Sequence, residues 1–116
     1  MNINELSDDE ILAIAHPLWD ELVRYSNEGN YVKFIRHFSL NLRRGLNEIE
    51  MGKQFTHSEL ARNLSEERDC LGLIRRGEHV TVLYRVRCKV REGEWLGRMV
   101  LGYEDGEVRI FGASIF

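Results

Sequence analysis

The sequence predicts an α+β domain in which helices come first and pack on one face of an antiparallel sheet that follows. Three observations carry this. From about His79 to Phe116, apolar residues alternate with polar ones, the period of a strand with one buried face. That stretch is punctuated by Glu92-Gly93 and Asp105-Gly106, and an acid–Gly pair between alternating runs is a strong hairpin signal. Before about Asp69, apolar residues instead recur at helical spacing. The 116 residues hold no visible linker, repeat or low-complexity tract, so residues 1–116 form one domain, large enough to bury a core without disulfides or metals.

The first helix starts at a capping box, Ser7-Asp8-Asp9-Glu10, in which hydroxyl and carboxylate each serve the other residue's backbone N–H. Its apolar stripe is Ile11, Ile14, Leu18, Leu22 and Tyr25, widened by Leu12, Ala15, Trp19 and Val23. Asp9, Ala13, His16, Asp20 and Arg24 fall on the solvated side. Pro17 removes one backbone donor inside the pattern and predicts a kink or a late restart. Glu28-Gly29-Asn30 ends this helix. A short second helix presents Tyr31, Phe34, Ile35 and Phe38. Asn47-Glu48-Ile49-Glu50 and Thr56-His57-Ser58-Glu59 are two more N-cap signatures, predicting helices over about 48–54 and 57–66. Leu42, Leu46, Ile49, Phe55, Leu60 and Leu64 are their expected buried contacts. Leu71-Gly72-Leu73-Ile74 reads as a short first strand that turns near Arg76-Gly77.

Two-residue loops at both acid–Gly turns fix a register and therefore two faces. The inner face carries Val80, Val82, Tyr84, Val86, Cys88 and Val90, then Trp95, Gly97, Met99, Leu101 and Tyr103, then Val108, Ile110, Gly112, Ser114 and Phe116. In this register Trp95 opposes Phe116 and Arg87 opposes Arg98, a like-charge pair that needs acids or anions beside it. The outer face carries Thr81, Leu83, Arg85, Arg87, Lys89, Leu96, Arg98, Val100, Gly102, Arg109, Phe111, Ala113 and Ile115. Leu83, Leu96, Val100, Phe111 and Ile115 make an apolar patch edged by bases, and monomers rarely leave such a patch uncovered.

The run from Gly29-Asn30-Tyr31 through Phe38-Ser39, the helices after it, and the hairpins ending Tyr103-Glu104-Asp105-Gly106-Glu107-Val108 and Ile110-Phe111-Gly112 resemble the nuclear-transport-factor-2-like, cystatin-like superfamily. The likeness is closest to small bacterial members with an acid–Gly turn before the last strand. It covers nearly the whole chain as a pattern and includes no diagnostic catalytic motif. The resemblance implies a cystatin-like cone, with N-terminal helices on the concave face of a curved antiparallel sheet. It also implies a homodimer through the outer face, here Leu83, Arg85, Arg87, Leu96, Arg98, Val100, Phe111 and Ile115. The superfamily holds enzymes and non-enzymatic modules alike, so fold alone does not select a function.

The inner face supplies a candidate ligand pocket, Trp19, Tyr84, Trp95, Met99, Leu101 and Tyr103, with Gly97 and Gly112 leaving room for a small apolar ligand. Catalysis there lacks a partner: Tyr84 and Tyr103 are the only phenols on the inner face of the three long strands, and no acid or imidazole joins them. A buried Tyr ring whose hydroxyl finds one partner is ordinary core chemistry. No catalytic residue is therefore assigned, and the residues favour binding over a lyase or isomerase that would use Tyr84, Tyr103 and His37, the last near the presumed mouth. His16 and Asp20, four apart on the first helix, read as a solvated pair without a third metal ligand. His57 belongs to a capping box and His79 to a strand edge. No metal and no cofactor is expected.

Charge excludes little more. Residues 1–30 hold seven acids against one Arg, while residues 31–116 hold fifteen bases against twelve acids. The split can guide association between copies. Arg85, Arg87, Lys89, Arg98 and Arg109 form a basic row that an anion or RNA could use, yet only Phe111 is placed to stack a base, so nucleic acid is disfavoured. Cys70 and Cys88 fit reduced thiols in a cytoplasmic protein. Ile11–Trp19, the longest uncharged apolar stretch, is too short to span a bilayer, and Met1–Glu10 is polar and acidic rather than a secretory signal.

Overall fold

In a computed structural model, which describes residues 2–45 and 58–116, helices precede an open four-stranded antiparallel sheet of order β1-β2-β3-β4. A 3₁₀ turn, Ile3–Glu5, leads into α1, Asp8–Glu28. Short helices α2 (Tyr31–Phe34), α3 (Leu40–Arg44) and α4 (Glu59–Arg62) follow. The strands are β1, Leu64–Arg76; β2, His79–Cys88; β3, Trp95–Glu104; and β4, Glu107–Ile115. The expected helix at 48–54, its cap at Asn47, the Thr56-His57 cap start, and Leu46, Ile49 and Phe55 lie outside the described residues.

The Ser7 box forms as the sequence requires. Glu10 N–H donates to Ser7 Oγ at 3.2 Å and Ser7 N–H to Glu10 Oε1 at 3.0 Å, which holds the Glu10 carboxyl below its usual range. Pro17 neither ends the helix nor delays it: α1 is continuous, and Ala13 and Pro17 are both exposed, so the missing bond falls on the solvent side. The buried stripe runs through Ile11, Ala15, Trp19, Leu22 and Ser26. It lies against Val80, Val82, Tyr84, Val86, Met99, Leu101 and Ile110, all essentially inaccessible to solvent. Burying each of these large side chains contributes roughly 1.5–3 kcal/mol.

The faces of β2 and β3 alternate as expected, but their register differs from that of a two-residue loop. Val86 pairs with Trp95 and Tyr84 with Gly97, because residues 89–94 form a longer connection. The shift is four residues, an even number, so inward residues stay inward. It does separate Arg87 from Arg98, which lies opposite Leu83, and it puts Val90 in an exposed loop. The second hairpin is the tight turn the sequence predicts: Asp105 and Gly106 take φ of 53° and 78°, and Glu104 pairs with Glu107.

Four residues on, the ladder slips. Leu101 pairs with Ile110 but Val100 pairs with Gly112, so Phe111 is an extra residue, a β-bulge. Beyond it, parity reverses relative to a regular ladder. Ala113 and Ile115 oppose the inward Met99 and Gly97, while Gly112 and Ser114 oppose the outward Val100 and Arg98. Phe116, expected inside and opposite Trp95, instead exchanges backbone hydrogen bonds with Leu96 and is 65% exposed.

β1 is far longer than the expected Leu71–Ile74, and the helix before it far shorter than 57–66. The Asn27 side chain joins this strand to α1, donating to the Leu64 carbonyl and accepting from Leu64 N–H, both at 2.9 Å. At the opposite edge, residues 37–39 bridge β4. Ile110 N–H donates to the His37 carbonyl at 2.7 Å, and Ser39 N–H to the Ile110 carbonyl at 2.8 Å. Leu40 N–H, at the start of α3, donates to the Glu104 carboxylate. These bonds hold the α2–α3 segment against β4.

Candidate functional site

Between the C-terminal half of α1, the short helices and the end of β4 lies a cavity of about 410 Å³, a size typical of small-molecule sites. Trp19, Leu22, Val23 and Ser26 of α1 form one wall. Phe34, Phe38 and Leu42 form the second, held in place by the bridge to β4. Ser58, Leu60, Ala61 and Leu64 close the third, and the bulged end of β4 supplies Ala113, Ser114 and Ile115. No described lining side chain is ionisable. Ala113 is exposed at the mouth.

Of the six residues expected to line a pocket, Trp19 does so. Tyr84, Met99 and Leu101 are completely buried beneath it, and Trp95 and Tyr103 pack partly buried against the core. The space Gly97 leaves is occupied: a Cβ there would stand 2.6 and 2.7 Å from Cη2 and Cζ2 of Trp19. The indole therefore seats on the Gly97 backbone and stacks on Tyr84, with ring centroids 4.9 Å apart. Gly112 leaves its room on the other side of the sheet. Phe34, Phe38, Leu42, Leu60 and Leu64 are legible in the sequence as apolar contacts but not as one wall. Ala113 and Ile115 follow only from the bulge.

On the β1–β2 side of Trp19 stands a polar cluster. His16, expected in solvent with Asp20, reaches inward: its Nδ1 lies 2.9 Å from the Tyr84 hydroxyl. Asp20 turns instead to Arg68, accepting from Nε at 3.2 Å and Nη2 at 3.1 Å. The Arg68 guanidinium lies 5.9 Å from the centre of the Tyr84 ring. Burial above all raises the Tyr84 phenol well beyond its ordinary range, with Cys70 adding and Arg68 opposing. Burial and then Arg68 lower the His16 imidazole, against a smaller opposite pull from Asp20. Both groups are thus neutral near pH 7, and one hydrogen bond serves both. Neither lines the cavity. His37 does not line it either; its Nε2 sits 3.3 Å from Glu21.

The outer sheet face is less basic than its sequence implies. Arg85 and Arg87 each lie within 3.6 Å of both Asp69 and Glu94, so the acids that the Arg row needs come from β1 and from the loop before β3. Arg98 lies over the Phe116 ring and Arg109 pairs with Glu107. Leu83, Val100 and Phe111 are half-buried, Leu96 is exposed, and Ile115 belongs to the inner face instead. Among the described residues no group of three or more His, Cys, Asp or Glu can hold a metal ion, and no helix is long and apolar enough to cross a membrane. The chain matches no protein-family model and no curated protein.

Proposed function

We propose that the protein is a non-catalytic binding module that takes a small, mainly apolar molecule into the cavity between α1 and the end of β4. The observation that carries this reading is the lining: hydrocarbon and aromatic surface with three serines and no described acid, base or imidazole. Acid–base catalysis needs a titratable group within hydrogen-bond reach of the substrate. Among the described residues the His16–Tyr84 pair offers such chemistry beside the cavity, and it is engaged with itself behind Trp19. Element order supports placing the chain with the nuclear-transport-factor-2-like superfamily, and two free cysteines suit a cytoplasmic setting. Native mass spectrometry of the purified protein should show a bound small molecule. Ala113→Trp, which fills the mouth, should abolish that species while the melting temperature changes little. A protein that carries no ligand and leaves hydrophobic probes unbound refutes the reading.

A second reading concerns assembly. Exposed Leu96, Phe116 and Ile74 share the outer face with a row holding both signs of charge, Arg85 and Arg87 beside Asp69 and Glu94. Such a row is self-complementary, so a second copy is the occupant that suits it. Leu96→Glu should convert a dimer into a folded monomer by sedimentation. A wild-type monomer at high micromolar concentration ends this reading.

A further inference from the structure

The fold treats the two edges of its sheet differently. Residues 37–39 bridge β4, and the Leu40 N–H bonds the Glu104 carboxylate beside them. At β1 the Asn27 side chain answers Leu64. From Ser65 to Arg76, on the side away from β2, no other strand or helix among the described residues bonds the backbone. Unpaired N–H and C=O groups along such an edge are a template for another strand. The middle of β1 carries neither a charge nor a proline: it reads Cys70, Leu71, Gly72, Leu73 and Ile74, with Leu71 48% and Ile74 47% exposed. Leu71 is an extra residue in the ladder with β2, and a Cβ placed on Gly72 would meet nothing within 4 Å, so this stretch is open.

The charges flank that middle and are sorted by sign. Glu66, Glu67, Arg68 and Asp69 precede it, and Arg75 and Arg76 follow. Charges of one sign would repel a copy in either direction. Sorted in this way, they attract an antiparallel copy and repel a parallel one. Arg68 and Arg75 are answered by Asp20 and Asp8 of α1. Glu66, Glu67 and Arg76 are exposed and have no ion pair among the described residues.

We propose that β1 is a self-docking edge, to which a second copy of this chain adds its own β1 antiparallel, joining the two sheets into one. Opposed residues in an antiparallel pair share a face. Cys70, Leu73 and Arg75 stand opposite the inward Tyr84, Val82 and Val80, while Asp69 and Ile74 stand opposite the outward Arg85 and Thr81. Setting Cys70 against the second copy's Leu73 keeps these faces together. It places Glu67 opposite Arg76 twice, about a two-fold axis, and Arg68 opposite Arg75, each held by its own α1 acid. The contact lies in the plane of the sheet and is separate from the outer-face pairing. An edge offers less surface than a face, so it associates above the concentration at which Leu96→Glu becomes a monomer.

The parent for the test is Leu96→Glu, which removes the outer-face contact. It is taken from low micromolar to millimolar concentration and followed by sedimentation and by backbone amide exchange. Dimers should form as concentration rises, and the amides of residues 65–76 should exchange more slowly. Adding Glu67→Arg or Arg76→Glu should weaken this association roughly tenfold, because each change makes two attractive pairs repulsive. An equimolar mixture of the two variants should associate at least as tightly as the parent, since both pairs are again of opposite sign. A mixture of Glu92→Arg and Arg91→Glu variants, with the same charge changes away from β1, should gain nothing over its components. Association untouched by either β1 substitution, a β1 mixture no tighter than its components, or β1 exchange that ignores concentration overturns the proposal. So does a parent that stays monomeric at millimolar concentration, a result that leaves the outer-face reading to the wild type's own sedimentation. Where Leu96→Glu does not fold, Glu67→Arg and Arg76→Glu in the wild-type chain give the same comparison.

Discussion

His16 and Trp19 stand one helical turn apart on α1 and meet opposite conditions. Around His16 every polar group has an answer: imidazole with phenol, Asp20 with Arg68, and the guanidinium over the Tyr84 ring. Around Trp19 there is empty volume and an N–H with no partner among the described residues. The two environments share one stacked pair of rings, Trp19 on Tyr84. The contrast separates a closed, hydrogen-bonded part of the core from an open, mainly apolar one. Titratable groups have gone to the closed side, where a neutral hydrogen bond lets Tyr84 be buried. The described lining of the open side is hydrocarbon and aromatic surface with three serines.

The largest test of this division is Tyr84→Ala. Removing a fully buried ring that supports both sides should cost about 3–5 kcal/mol in denaturant unfolding. A loss below about 1 kcal/mol would mean that the closed side is not structural. Gly97→Ala comes next. The added methyl must displace a rigid indole, so a cost of about 1–3 kcal/mol is expected, with altered Trp19 fluorescence. Unchanged emission and stability would show that the indole does not rest there. Tyr84→Phe keeps the ring and removes only the hydroxyl, which should cost about 0.5–1.5 kcal/mol and leave the cavity's affinity for ethylbenzene intact. A change in that affinity would join the two sides functionally.

The smallest expected effect is a pH slope. The His16 imidazole is held down in the folded chain, chiefly by burial and then by Arg68, with Asp20 opposing. As pH falls below about 6.5, the unfolded chain takes up this proton before the folded one does. The stability gained by keeping His16 neutral is therefore complete above that pH, and it is lost as pH falls through the lowered folded value. Melting curves between pH 7.5 and 5 should fall less steeply for His16→Gln than for the wild type, both pH limits being set roughly around that value. Parallel curves would remove His16 from the pH response.

Much of the frame was readable from residues. The Ser7 box, the Asp105-Gly106 turn and the two faces of β2 and β3 depend on local chemistry and a period of two, and these appear as expected. Other features depend on competition that local signals do not express. Glu66, Glu67, Arg68 and Asp69 are poor strand residues, yet they form β1 because an edge strand can keep charges at solvent. Glu92-Gly93 marks a turn without fixing its length, and the strands settle four residues from the shortest register. His16 reads as solvated on a helical wheel, yet a long side chain at the stripe's flank can reach a phenol below. The bulge at Phe111 leaves no compositional mark, so the cavity wall it creates could not be read from the sequence.

That extra residue also makes β4 a strand in two independent sections. From the turn to Ile110 the ladder is set by Asp105-Gly106, while everything beyond it takes its alignment from the bulge. For protein engineering this is a natural joint. Ala113 and Ile115 can be enlarged, trimmed or made polar to reshape what the cavity accepts, and the hairpin that anchors the sheet stays upstream of the change. Deleting Phe111 would restore a regular ladder with the same residues facing inward, a version of the scaffold in which the wall is kept and the joint is removed.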